Sequence, residues 1–212
     1  MSTRDHDAGA RAARLTEIRQ QQRRAERRRT ALITGVSALV AAVLIAVTAI
    51  VLVGEQRRQA DVVEAAAGDI TGVQTFTDLS ANHVLQPVQY EQTPPVGGDH
   101  AGAWANCGAY AEPIPSELGV HSLEHGAVWV TYSPDLPDEQ VQRLTELAEG
   151  NAYVLLSPFD GLTGGPVVAS AWGVQLPLET ADDPRLEQFL VKYQQGPQTL
   201  EPGAPCTGGV DA

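Results

Sequence analysis

Apolar and polar positions follow three different rules along this chain, and each rule predicts a different kind of element. From Ala31 to Val53, "ALITGVSALVAAVLIAVTAIVLV", no residue is charged, so a helix there has no polar face. At about 1.5 Å per residue the run spans roughly 35 Å, enough to cross a hydrocarbon core of about 30 Å. It exceeds the apolar core of a signal peptide, about 7–15 residues, and no small-x-small cleavage site closes it in "VLVGEQRR". The expectation is a retained transmembrane helix over 31–53. Polar helix formers follow in "GEQRRQADVVEAAAGD" and predict a helical stalk over 54–68 that stops at Gly68. Between residues 69 and 98 the breakers Gly72, Pro87, Pro94, Pro95, Gly97 and Gly98 predict irregular chain, with a short strand at Val88 to Tyr90.

The second half is more regular. "AVWVTY" (127–132) is β-branched and aromatic and reads as a strand. "PDEQVQRLTELAEG" opens on Pro137, carries acids in its first turn, and repeats Val141, Leu144, Leu147 and Ala148 at helical spacing before Gly150. "YVLLS" (153–157) and "VVASAW" (167–172) read as strands, and a last helix begins near Asp183-Pro184 and aligns Leu186, Phe189, Leu190 and Tyr193 before Gly196. The order β-α-β-β-α predicts an α+β domain with a small mixed sheet and packed helices. A helix between the first two strands predicts a parallel, right-handed crossover, and the shorter loop between the next two predicts antiparallel neighbours.

Charge orients this plan. Nine arginines precede the apolar run (Arg4, Arg11, Arg14, Arg19, Arg23, Arg24, Arg27, Arg28, Arg29), and only Arg57 and Arg58 follow it closely. That bias keeps residues 1–30 in the cytoplasm and exports residues 69–212 as a single extracytoplasmic domain. A basic run beside a membrane helix pairs with anionic headgroups, so no nucleic-acid partner is read from it. From Asp69 onward 19 acidic residues against Arg143, Arg185 and Lys192 leave a net charge of −16. Such a surface repels polyanions and concentrates cations.

The exported part holds the only two cysteines, Cys107 and Cys206, in a setting where disulfides persist. There is no C-x-x-C motif, and a bond between them would tie the aperiodic tail to the domain. Four histidines are also exported: His83, His100, His121 and His125. His121 and His125 share a side only if residues 117–125 are helical, since on a strand they stand about 13 Å apart. Ser116 as N-cap and Gly126 as a stop predict a turn or two of helix, which Gly119 keeps short. His100, beside Asp99 on a glycine-rich loop, supplies a third imidazole if the loop folds over that turn.

Three readings stay open. His100, His121, His125, Glu124 and Asp99 suit a transition metal such as Zn or Cu. Alternatively they are a hydrogen-bonded network bracing loops in a structural or interaction module of the cell envelope, with no ligand and with a protein partner the sequence does not name. Taken literally, His121-Ser122-Leu123-Glu124-His125 also matches the H-x-x-E-H pattern of inverted zinc proteases, a zinc-dependent hydrolase reading. Against it stand the short helix and the lack of a partner helix with a glutamate ligand.

The segments "TPPVGGDH", "NCGAY", "VHSLEHGAVWVTY", "ASAWG" and "GPQTLEPGAPC", behind a basic N-terminus and one membrane helix, resemble the family called domain of unknown function 3105. The resemblance covers roughly residues 69–206. It marks Gly98, His100, His121, Glu124, His125 and Gly126 as signature positions and implies a membrane-tethered extracytoplasmic domain, but no enzymatic activity follows from it.

Overall fold

The computed structural model describes residues 3–212, with side chains from Arg14 onward; Arg4 and Arg11, counted above, have side chains outside that range. The chain divides into two units, Met1–Arg58 and Gln59–Ala212. A single helix, α1 (Thr3–Ala67), provides nearly all of the first and opens the second. It is one continuous element where the sequence reading separates a basic segment, a span and a stalk. Ala, Arg, Gln and Glu before residue 31 are all good helix formers, so nothing interrupts it. Among the described residues α1 is the one helix long and apolar enough to cross a membrane. Leu32, Ile45 and Ile50 are exposed along it, so the protein itself does not cover that surface.

The second unit is α+β. Its elements are β1 (Gln74–Thr75), β2 (Gly108–Ala109), α2 (Ser116–Glu124), β3 (Val128–Tyr132), α3 (Asp138–Glu149), β4 (Val154–Pro158), β5 (Val167–Ala171), β6 (Val174–Leu178) and α4 (Pro184–Tyr193). They build one mixed sheet in the order β1-β6-β5-β3-β4-β2. β3 and β4 are parallel and joined through α3, as a helical crossover requires. β5, however, pairs antiparallel with β3 and not with β4. The far edge of β4 is taken by β2, which lies parallel to it.

Strand β6 is the largest departure from the pattern reading. Trp172-Gly173, with Gly173 at φ +70°, closes a two-residue hairpin between β5 and β6. Pro177 obscures this strand in the sequence, but it lies beyond the two residues that pair with β1, at the kind of edge position that tolerates proline. No strand forms at Val88 to Tyr90; the Val88 N–H instead donates to the Glu117 carboxylate at 2.9 Å.

Alternation along β3 separates two cores. Val128, Val130 and Tyr132 join Leu144 and Ala148 of α3 and Leu186, Phe189 and Leu190 of α4 in one buried cluster. Trp129 joins Leu155 and, from α2, Val120 and Leu123 in the other. Trp129 is fully buried, and its indole N–H donates to Ser157 Oγ at 3.0 Å.

Gly119 explains how α2 reaches this second core. A Cβ at that position would lie 2.6 Å from the Trp129 ring, so only glycine lets the helix backbone rest on the indole face. The residue that weakens the helix locally is the one its packing demands. Gly119→Ala is expected to lower stability by about 1–3 kcal/mol, the usual cost of overpacking, despite alanine's better helix propensity. Urea unfolding followed by tryptophan fluorescence measures it, and an unchanged or raised midpoint would contradict the contact.

Candidate metal centre

Seated on Trp129, α2 turns its last residues inward. His121 and Glu124 belong to the helix, and His125 caps it with its N–H on His121 O at 3.2 Å. Gly126, at φ +89°, then swings the chain into β3. A Cβ there would meet Gln195 and Thr199 at 2.5–2.9 Å, so this turn needs glycine for both its conformation and its space. His121, Glu124 and His125 are 4%, 6% and 3% exposed, and the glycine-rich loop lays a fully buried His100 beside them.

His100 brings a partner that the sequence reading left out of the site. Residues 83 and 100 form an isolated parallel bridge, with His100 N–H on Asn82 O at 3.0 Å and Val84 N–H on His100 O at 2.7 Å. The His83 ring consequently stacks on His121 with centroids 4.8 Å apart. Ligand atoms of His83, His100, His121 and Glu124 all lie within 4.8 Å of one another. His83 side chain is about half exposed (51%), so it forms the outer wall of a centre otherwise buried. Its only sequence signal is membership among the four histidines that follow the apolar run, because the long irregular stretch between His83 and His100 has no periodicity to relate them.

The other proposed residues divide. His125 Nε2 stands 3.1 Å from His121 Nε2, adjoining the cluster without belonging to its four-residue core. Asp99 faces away. Its carboxylate accepts from the backbone N–H and side-chain amide of Asn82 at 3.2 and 2.9 Å. Hydrogen bonds from Ser80 and then Asn82 hold it below the usual carboxylate range. Asp99 therefore positions the segment carrying His83 and is not among the converging donors.

Three backbone carbonyls fix which imidazole nitrogen carries a proton. His100 Nδ1 meets Gly98 O at 2.8 Å, His121 Nδ1 meets Ala101 O at 2.6 Å, and His125 Nδ1 meets Pro205 O at 2.8 Å. A carbonyl oxygen only accepts, so each Nδ1 carries a proton and Nε2 is the nitrogen left for the cluster. Nε2 of His100 points at Glu124 Oε2 from 2.9 Å, and Nε2 of His83 lies 3.6 Å from the same oxygen. Two bare lone pairs would repel at these distances, so each contact is held by a shared proton or by a cation between the atoms. Imidazoles anchored through Nδ1–H to carbonyls are also how proteins orient metal-binding histidines. The donor set therefore fits a Zn(II) or Cu(II) ion.

Two tryptophans wall the cluster. Trp104 lies 4.7 Å from the His125 ring and 5.6 Å from that of His121, and Trp172 meets His100 edge-on at 5.9 Å. The C-terminal tail closes the remaining side. Cys107 and Cys206 are disulfide-bonded with Cα atoms 5.3 Å apart, which sets Pro205 O against His125. Glu201 N–H donates to Glu124 O at 3.0 Å, and Glu201 Oε2 lies 3.4 Å from His125 Nε2.

Fold and cluster together define a class: an α+β domain, on a chain with one long apolar helix, that gathers imidazoles and a carboxylate under a disulfide-bound tail. Residues 83–208, more than half the chain, match the family described as "Protein of unknown function (DUF3105)", and the chain belongs to that family. No curated protein and no solved structure matches it.

Burial holds the His121 imidazole below its ordinary value of 6.5, because the apolar surroundings disfavour its charged form. As pH falls, the unfolded chain takes up this proton first, so the contribution is complete above about pH 6.5 and is lost as pH drops toward the lowered folded value. In the presence of chelator, stability is expected to be lower at pH 5.5 than at pH 7.5, with a slope of at most about 1.4 kcal/mol per pH unit from this group. His121→Asn should flatten the difference. Equal urea midpoints at the two pH values in the parent protein would refute the burial argument.

Proposed function

We propose that this chain is a single-pass membrane protein whose acidic extracytoplasmic domain binds a transition-metal ion through His83, His100, His121 and Glu124. The observation that carries the reading is the convergence of histidine Nε2 atoms on a carboxylate, with Nδ1 of His100 and His121 committed to carbonyls. Neutral imidazole and carboxylate donors favour Zn(II) or Cu(II). Both cysteines are in the disulfide and Met1 is the single methionine, so soft sulfur donors that select Cu(I) are lacking. The acidic surface draws cations toward the site.

In this reading residues 1–30 are cytoplasmic, 31–53 span the membrane, 54–68 form a stalk, and 69–212 form the exported domain. The arginine bias across the apolar run supports the orientation, and the disulfide suits an oxidising compartment.

The test uses the full-length chain purified in detergent without a histidine tag, stripped with chelator and titrated with Zn(II) or Cu(II). Free metal at a hundred times its Kd stabilises by about 2.7 kcal/mol, which corresponds to about 5–10 °C in Tm for a domain of this size. The rise should shrink in a His100→Gln/Glu124→Gln double variant. No bound metal and an unmoved Tm would leave the cluster as a structural network and end this reading. Topology has its own check: alkaline phosphatase fused after residue 212 should be active in cells, and an inactive fusion would reverse the orientation.

A further inference from the structure

One feature of the cluster is more than a single ion needs. A neutral imidazole whose Nδ1–H is held by a carbonyl has one lone pair left and can serve one ion. The four-residue core already supplies a complete tetrahedral set. Beyond it, His121 Nε2 and His125 Nε2 face each other at 3.1 Å. Both have Nδ1 committed, to Ala101 O and Pro205 O, so with both rings neutral two Nε2 lone pairs meet in a buried place. A carboxylate stands beside them, with Glu201 Oε2 3.4 Å from His125 Nε2. Its place is not incidental, because the Glu201 backbone is bonded to Glu124 O at the end of α2.

We infer that the centre takes two divalent transition-metal ions, the second held by His121, His125 and Glu201. This rests on the metal-binding reading above. With both ions present, His83, His100 and Glu124 retain the first and His121 turns its lone pair to the second. Each ion then has one carboxylate and two imidazole nitrogens, a three-ligand protein set of the kind that leaves a position open. The two sites differ in their access. Glu124 is buried, whereas the Glu201 side chain is half exposed (52%) on the tail, so the second ion lies nearer the surface.

The experiment measures stoichiometry on the full-length detergent-solubilised protein, chelator-stripped and equilibrated with Zn(II), then with Cu(II), and desalted before elemental analysis. Two equivalents are expected in the parent and one in Glu201→Gln, whose backbone bond to Glu124 survives the change. His125→Gln should match it, and both variants should keep the first ion's Tm rise. With Cu(II), the parent should show the spin–spin coupling of a close pair in its paramagnetic resonance spectrum, and Glu201→Gln should show isolated copper. One equivalent in the parent overturns the second site and leaves the first intact. Two equivalents unaffected by Glu201→Gln would assign the extra ion to surface carboxylates and equally overturn it. No bound metal at all would remove the reading beneath it.

Discussion

The contact between Gly119 and the face of Trp129 governs the second unit's candidate site. It brings α2 close enough to β3 for Val120 and Leu123 to enter the core around the indole. That placement leaves His121 and Glu124 buried in the last turn of a nine-residue helix. A helix this short has little stability of its own, so its position comes from packing. The polar cluster is thus held by an apolar contact.

The second constraint is the tail. The Cys107–Cys206 bond closes a 99-residue separation, and in the chain-entropy picture such a loop contributes on the order of 4–5 kcal/mol, subject to native-state strain. Aperiodic chain after α4 gains a fixed path in this way. Gln195 N–H donates to Gly126 O, Tyr153 hydroxyl to Ala204 O, and Cys107 N–H to Cys206 O. The same path carries Pro205 O to His125 and Glu201 to the end of α2. Covalent closure and histidine orientation are therefore one structural fact.

Polar groups inside a small domain are expensive unless satisfied. Here the protein satisfies each buried imidazole's Nδ1–H with its own backbone and leaves the Nε2 atoms facing one another and a carboxylate. One positive charge, a proton or a metal ion, turns these contacts from repulsive to favourable. The arrangement is understandable as a receptor for positive charge, in a domain whose surface is already strongly acidic.

Local periodicity made α3, α4, β3, β4 and the core face of β3 legible in the sequence, and the uncharged run made the apolar helix legible, because period and composition depend on neighbouring residues alone. The i, i+4 spacing of His121 and His125, once helical, likewise put both on one side. Tertiary structure decided the rest. β5 chose β3 over β4, Pro177 hid β6 until the hairpin at Gly173 placed it on an edge, and Asp99 was drawn to Asn82. His83 and Glu201 reach the cluster across irregular chain through backbone bonds made only after folding, from His100 to Asn82 and from Glu201 to Glu124. The sequence alone determined which donor types the chain after the apolar run possesses. Which of them share a centre was decided by long-range contacts, since hydrogen bonds between distant, aperiodic segments leave no repeating trace along the chain.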